Sequence, residues 1–171
     1  MSKAKSKKEQ FMELYEEHSD AIYRHCFFRT YSKEKAQEFT QETFLRAWNY
    51  IRDKRDIANM KALLYRIATN LCIDEYRKKR EDSLDRLMED AHMPEPSNRS
   101  HEDMQTGVLL AQVKDVMSTM AEETQQLLIM RYIDDMDPKE IAKVLNISPN
   151  YVSVKLHRAV QELKGLIINE A

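Results

Sequence analysis

Apolar residues in this chain recur at mixed three- and four-residue spacings, the period that lines one face of a helix. No stretch alternates as a half-buried strand would. In "EQFMELYEEHSDAIYRHCFFRT" the stripe is Phe11, Leu14, Tyr15, Ile22, Tyr23 and Cys26. Ser32 is placed to cap a second helix over 33–51, with Ala36, Phe39, Phe44, Ala47, Trp48 and Ile51 facing inward. The charged stretch "RDKRDIAN" breaks the period. A third helix follows over 59–80, with Met60, Leu63, Leu64, Ile67, Ala68 and Leu71 as its core stripe. From Glu81 to Gln105 the period is lost, and "PEPSNRS" breaks helices. Acidic composition with few large apolar residues predicts a flexible linker there, with room for a short helix over "SLDRLMED".

Helices resume near Gly107, with Val108, Leu109, Ala111, Val113, Val116, Met117 and Met120 on a broad apolar face. Leu127, Leu128, Met130 and Ile133 are the inward positions of the next helix. Asp137 precedes Pro138, and Glu140 lies three residues after the Asp. That combines an N-cap, a proline at the first helical position and a capping box. Ser148 before Pro149 repeats the start signal. Helices over 138–145 and 149–164 follow, separated only by "NIS". The predicted fold class is all-α: two small helical domains, 1–80 and 106–171, joined by an acidic linker over 81–105.

Composition supports this and adds an asymmetry. Two glycines and four prolines in 171 residues supply few turns, which favours helices. The net charge of −2 hides 18 Lys/Arg against 12 Asp/Glu over 1–80, 2 against 8 over 81–105, and 7 against 9 over 106–171. Net +6, −6 and −2 suggest three different tasks. No apolar run is long enough for a membrane span, and the basic N-terminus leads into no apolar segment of a secretory signal. Cys26 and Cys72 are too few for a disulfide framework and are expected to be buried, reduced and inert. A cytosolic protein without membrane insertion is expected.

Two helices joined by a turn of about three residues, the second longer, outline a helix-turn-helix. Ile141, Ala142, Leu145, Ile147, Val152, Leu156 and Val160 supply its inward set. The outward positions of the second helix are Asn150, Tyr151, Ser153, Val154, Lys155, His157, Arg158 and Gln161. Lys155 and Arg158 can reach phosphate or guanine, Asn150 and Ser153 can bond base edges, and Val154 can touch a thymine methyl. The same spacing also fits a plain helical hairpin with a solvated face. The net charge of −2 over 106–171 argues against strong DNA binding by that half alone.

A family resemblance carries the reading further. "AEETQQLLIMRYIDDMDPKEIAKVLNISPNYVSVKLHRAVQELK" resembles region 4 of bacterial sigma factors. "KEKAQEFTQETFLRAW" resembles region 2.2, and "LLYRIATNLCIDEYRKKR" resembles regions 2.3 to 2.4. The gap between the motifs is too short for a further helical domain. The chain is therefore similar to the minimal, extracytoplasmic-function (group 4) members of the sigma-70 family. The resemblance implies a promoter-specificity subunit of RNA polymerase whose partners are the β′ clamp coiled coil, the β flap, promoter DNA and an anti-sigma factor. No cofactor or metal is implied.

By the same resemblance, Glu38, Gln41 and Glu42 would dock on core polymerase. Lys35 and Gln37 stand where many members carry acids, which would make this docking surface less acidic. Lys61, Arg66, Asn70, Arg77, Lys78 and Arg80 would hold the −10 element as it melts, with "RDKRDIAN" capturing a flipped base. Asp74 is expected to pair with Arg77 or Lys78. Met60 and Leu63 replace the aromatic residues common in the family. Tyr151, Ser153, Val154, Lys155, His157 and Arg158 would meet the −35 element, with Ser153 where members often carry Arg or Lys. The acidic linker would thread a polymerase channel built for a polyanion. At about 3.3 Å per residue its 25 residues could extend roughly 80 Å. That bridges contact sites two DNA turns apart, at roughly 34–36 Å per turn.

Two other classes fit parts of the pattern. A free-standing helix-turn-helix regulator would need affinity of its own, usually from dimerisation. A helical adaptor or enzyme would need a catalytic or metal constellation, and no nucleophile with a paired base, metal-ligand spacing or phosphate loop occurs. His25, His92 and His101 have no ligand spacing in the sequence.

Overall fold

The computed structural model describes residues 4–53, 58–86 and 101–170. They form helices α1 (Lys7–Thr30), α2 (Lys33–Arg52), α3 (Met60–Arg86), α4 (His101–Ser118), α5 (Glu122–Tyr132), α6 (Pro138–Leu145) and α7 (Pro149–Glu170). There is no strand among the described residues. The first three helices pack as a bundle; α5, α6 and α7 pack together, with α4 against α7.

The start signals form as the sequence predicts. Ser32 accepts from the Lys35 N–H, and Asp137 and Glu140 close a capping box with both bonds at 2.9 Å. Helix α1 also has a capping box, Ser6 with Glu9, inside the basic N-terminal run. Asn146 ends α6 in the left-handed region at φ 55, and its N–H reaches back to the Ala142 carbonyl. That turn aims α7 across α6.

Three boundaries differ from expectation. Helix α3 continues through Arg80 to Arg86, and α4 begins at His101, so the segment expected as linker is helical at both ends. Arg77 with Glu81 and Lys78 with Asp82 are opposite charges at i,i+4, which favours helix, and the next proline is Pro94. Residues 83–86 of the short helix expected over "SLDRLMED" belong to α3, and the remainder lies outside the described residues. Helix α7 likewise passes Lys164 and Gly165 to reach Glu170.

The two halves share one apolar core. Ile22, Cys26, Leu64, Tyr65 and Ala68 join Leu127, Met130, Met136, Ile141 and Val144 in a single cluster. Helix α1 meets α5, and α3 meets α6. Val108, Leu109 and Val113 are exposed, against the broad buried face expected there, because α4 lies at the edge and, from Gly107 to Ser118, buries only Val116 and Met117. Tyr15 is also exposed, although its ring meets Phe44 edge-on at 4.9 Å. Both cysteines are free and buried; hydrogen bonding to Cys72 and burial push the Cys26 thiol far above its ordinary value, which suppresses the reactive thiolate.

Candidate polymerase and nucleic-acid interfaces

The amphipathic phase of α2 puts Ala36, Phe39, Thr43, Phe44 and Ala47 in the core and turns Glu38, Gln41 and Glu42 the other way. These three line a groove of about 630 Å³ whose far wall is Asp74, Glu75 and Lys78 of α3. Lys35 bonds Glu38 at 3.2 Å and lies 3.7 Å from Glu75. The Glu38 bond is the main reason the Lys35 ammonium is held above its ordinary value. Arg46 donates to Glu42 at 2.6 Å. Asp74, expected to pair along α3, sits in this groove instead. Leu45, at 56% exposure, adds an apolar side chain to the same wall. The residue pattern did not single it out.

The residues expected to hold −10 DNA divide into two groups. Asn70, Arg77, Lys78 and Arg80 are exposed along α3. Lys61 and Arg66 instead reach into the C-terminal half. Lys61 bonds Glu140 at 3.1 Å. Arg66 donates to the Lys143 carbonyl at 2.7 Å and the Val144 carbonyl at 3.2 Å. The physical reason is that the last turn of α6 presents carbonyls without helical partners, and a guanidinium satisfies two at once. Half of "RDKRDIAN", residues 54–57, lies outside the described residues.

Helix α7 buries Val152, Leu156 and Ala159, so Tyr151, Ser153, Val154, His157 and Arg158 point to solvent. Lys155 is half-buried. It lies 3.6 Å from Glu123 of α5 and 5.4 Å above the Tyr151 ring, and the Tyr151 hydroxyl donates to Glu123 at 3.0 Å. Contact with Tyr151, then with Glu123, holds Lys155 above its ordinary value. The Ser153 hydroxyl donates back to the Pro149 carbonyl at 3.1 Å. The outward face is thus assembled as the spacing predicts, but two of its members are tethered to α5.

Between the halves lies a set of contacts that the residue pattern did not reveal. His25 of α1 is fully buried, and its Nδ1 meets Asp134 Oδ2 at 2.6 Å. Its Nε2 meets the Thr69 hydroxyl at 3.2 Å, and its ring stands edge-on to Tyr65. Arg29 donates to Glu122 at 3.3 Å. A histidine within the apolar run "YRHCFF" was the available signal; a partner 109 residues away was not.

Glu140 serves both its capping box and Lys61. The Asp137 N–H, then Lys61, hold its carboxyl below the ordinary 4.5. A depressed folded value means the stabilisation is present above pH 4.5 and fades as pH falls through the folded value. Glu140→Gln keeps a capping side chain but removes the charge. The variant should melt below the wild type at neutral pH, with the gap closing as the solution is acidified below about 4.5 in thermal melts at stepped pH. A pH-independent gap would contradict this.

Residues 14–81 match Sigma-70 region 2, and residues 110–163 match Sigma-70, region 4. With both regions on one chain and in that order, the protein belongs to the sigma-70 family of RNA polymerase sigma factors. Within it, the chain is of the extracytoplasmic-function type. It is 27% identical to the ECF RNA polymerase sigma factor SigW of Bacillus subtilis, over 94% of this chain and 90% of that one. The fold resembles that of CnrH, solved in complex with the cytosolic domain of CnrY, at TM-score 0.73 and 21% identity over 96% of this chain and 91% of that one. It also resembles RpoE of Bartonella quintana, solved with the anti-sigma factor NepR, at TM-score 0.68 and 17% identity over 92% and 96% of the chains.

Proposed function

We propose that this sigma factor binds core RNA polymerase through the α2–α3 groove and directs it to promoters whose −10 and −35 elements the two halves read. The observation that carries the reading is the pairing of regions 2 and 4 in one chain. Glu38, Gln41 and Glu42 are the proposed docking side chains for the β′ clamp coiled coil. Asn70, Arg77, Lys78 and Arg80, joined by Lys61 and Arg66, are the proposed −10 contacts. Phosphate neutralisation suits this basic helix, since backbone contacts supply most affinity for DNA. Tyr151, Ser153, Val154, Lys155, His157 and Arg158 are the proposed −35 contacts. The functional division runs 1–80, 81–105 and 106–171.

The family is one of transcription regulators rather than enzymes, and we assign no catalysis and no cofactor. An anti-sigma factor is a proposed partner, as is the β flap for the C-terminal half. No described helix is long and apolar enough to cross a membrane. A cytoplasmic site of action, where polymerase works, is proposed.

Runoff transcription with purified core polymerase tests the reading. Promoter-specific transcripts should appear only when this chain is added, and their absence on every genomic fragment would refute it. A free-standing regulator would instead shift duplex DNA without core polymerase. Arg158→Ala should weaken promoter binding by about ten- to a hundred-fold, the worth of one base contact, with binding to core polymerase unchanged. Equal loss of both affinities would remove Arg158 from the −35 face.

A further inference from the structure

The proposed −35 contacts include two permanent cations, Lys155 and Arg158, and they are held differently. Arg158 points to solvent and makes no ion pair among the described residues. Lys155 is engaged from α5. Its Nζ lies 3.6 Å from Glu123 Oε2 and 5.4 Å above the Tyr151 ring. The other oxygen of that carboxylate accepts from the Tyr151 hydroxyl at 3.0 Å. One carboxylate thus holds two proposed DNA contacts. Glu123 sits in the first turn of α5, outside the recognition helix. Its side chain is 52% exposed, and that of Lys155 is 34% exposed. Exposed pairs of this kind stabilise a fold only slightly. A carboxylate on the rim of a face that meets a polyanion also opposes binding unless it gives something back.

We infer that Glu123 is a positioning residue for −35 recognition: it withholds Lys155 from DNA phosphates and presents its ammonium, beside Tyr151, to the edge of a guanine. The inference rests on the −35 reading of α7. A free lysine is a flexible point charge that finds any phosphate, and phosphate contact carries no sequence information. Pairing with Glu123 offsets that charge and fixes the long side chain in one place, so less rotamer freedom is lost on docking. An ammonium has several N–H donors, and one ion pair does not exhaust them. Guanine O6 and N7 are acceptors that a held ammonium can take in the major groove. The arrangement exchanges affinity shared by all sequences for affinity tied to one base. The net charge of −2 over 106–171 runs the same way, since little of this half's binding can come from phosphate neutralisation alone.

Glu123→Gln keeps the side-chain shape and removes the charge. Fluorescence anisotropy of the full-length variant on a random-sequence duplex should show about five-fold tighter binding than wild type at low salt. The slope of log affinity against log salt should steepen by about 0.9, the mark of one more phosphate neutralised. On a duplex carrying the −35 element mapped by runoff transcription, binding should not tighten. The ratio of affinities for that duplex and a scrambled one should therefore fall about five-fold. Combining Glu123→Gln with Lys155→Met should abolish both responses. Loss of a merely repulsive carboxylate would tighten both duplexes equally and leave the ratio unchanged, and that outcome overturns the inference. So does a response that survives Lys155→Met, or a variant, folded by circular dichroism, whose salt slope equals that of the wild type. The random-duplex arm needs neither polymerase nor a known promoter, so it judges Glu123 separately from the runoff assay, which judges the sigma-factor reading.

Discussion

Reversing two charges on α2, with Glu38→Lys and Glu42→Lys together, will reduce affinity for core RNA polymerase about a hundred-fold. Both carboxylates line the groove between α2 and α3, and both side chains are reachable by a partner, at 56% and 37% exposure. The groove already contains Lys35, which neutralises Glu38 and leans toward Glu75. Two further lysines would turn an acidic-to-neutral wall positive and repel the basic groups that these carboxylates are proposed to meet. Loss or reversal of a close interfacial charge pair costs about 2–5 kcal/mol, and about 2.7 kcal/mol is a hundred-fold. The fold should not suffer, because neither side chain is in the core. Fluorescence titration against core polymerase measures the affinity, and circular dichroism melts check the fold. Wild-type affinity in a folded variant would move the docking surface elsewhere.

Removing the Tyr65 ring will have the largest effect on stability. Tyr65 is only 2% exposed and is the largest of the fully buried side chains. Its ring meets His25 at 5.4 Å, under the seam. Burial, and after it the Asp134 charge, hold its hydroxyl proton more tightly than in water. Tyr65→Ala leaves a ring-sized void and withdraws support from the His25–Asp134 contact. Large-to-small aromatic truncations in cores cost about 3–5 kcal/mol. For a chain of this size that lowers the melting temperature by roughly 10 °C. Because one apolar cluster spans both halves, the melt should remain a single transition. A melting temperature within a degree or two of wild type would show that the seam does not depend on this ring.

Most of the helical order was legible before any coordinates. The Ser32 cap, the Asp137–Glu140 capping box and the Ser148–Pro149 start are local devices, in which side chain and backbone lie within four residues of each other. They act the same way in any tertiary setting. The outward face of α7 was legible for a similar reason: once Val152 and Leu156 are buried, the 3.6-residue period sends Ser153, Val154, His157 and Arg158 outward. Helix ends set by no strong stop were less legible. Residues 81–86 read as linker on acidity, yet the i,i+4 pairs with the basic run carry α3 through them. Val108, Leu109 and Val113 read as core because periodicity reports which residues share a face, not whether another element covers it.

The sequence alone determined the helices, the split into a basic and a near-neutral half, and the residues that could meet polymerase and DNA. The helices and the charge split follow from spacing, caps and charge, which are properties of neighbours along the chain, whereas the polymerase- and −10-facing residues were implied by the resemblance to sigma factors. Only the tertiary structure decided which of those residues are free. It joined His25 to Asp134, Arg29 to Glu122, Lys61 to Glu140 and Arg66 to the end of α6. These pairs lie 77 to 109 residues apart. Such contacts depend on how the apolar faces of the two halves are joined, and no local periodicity encodes that choice.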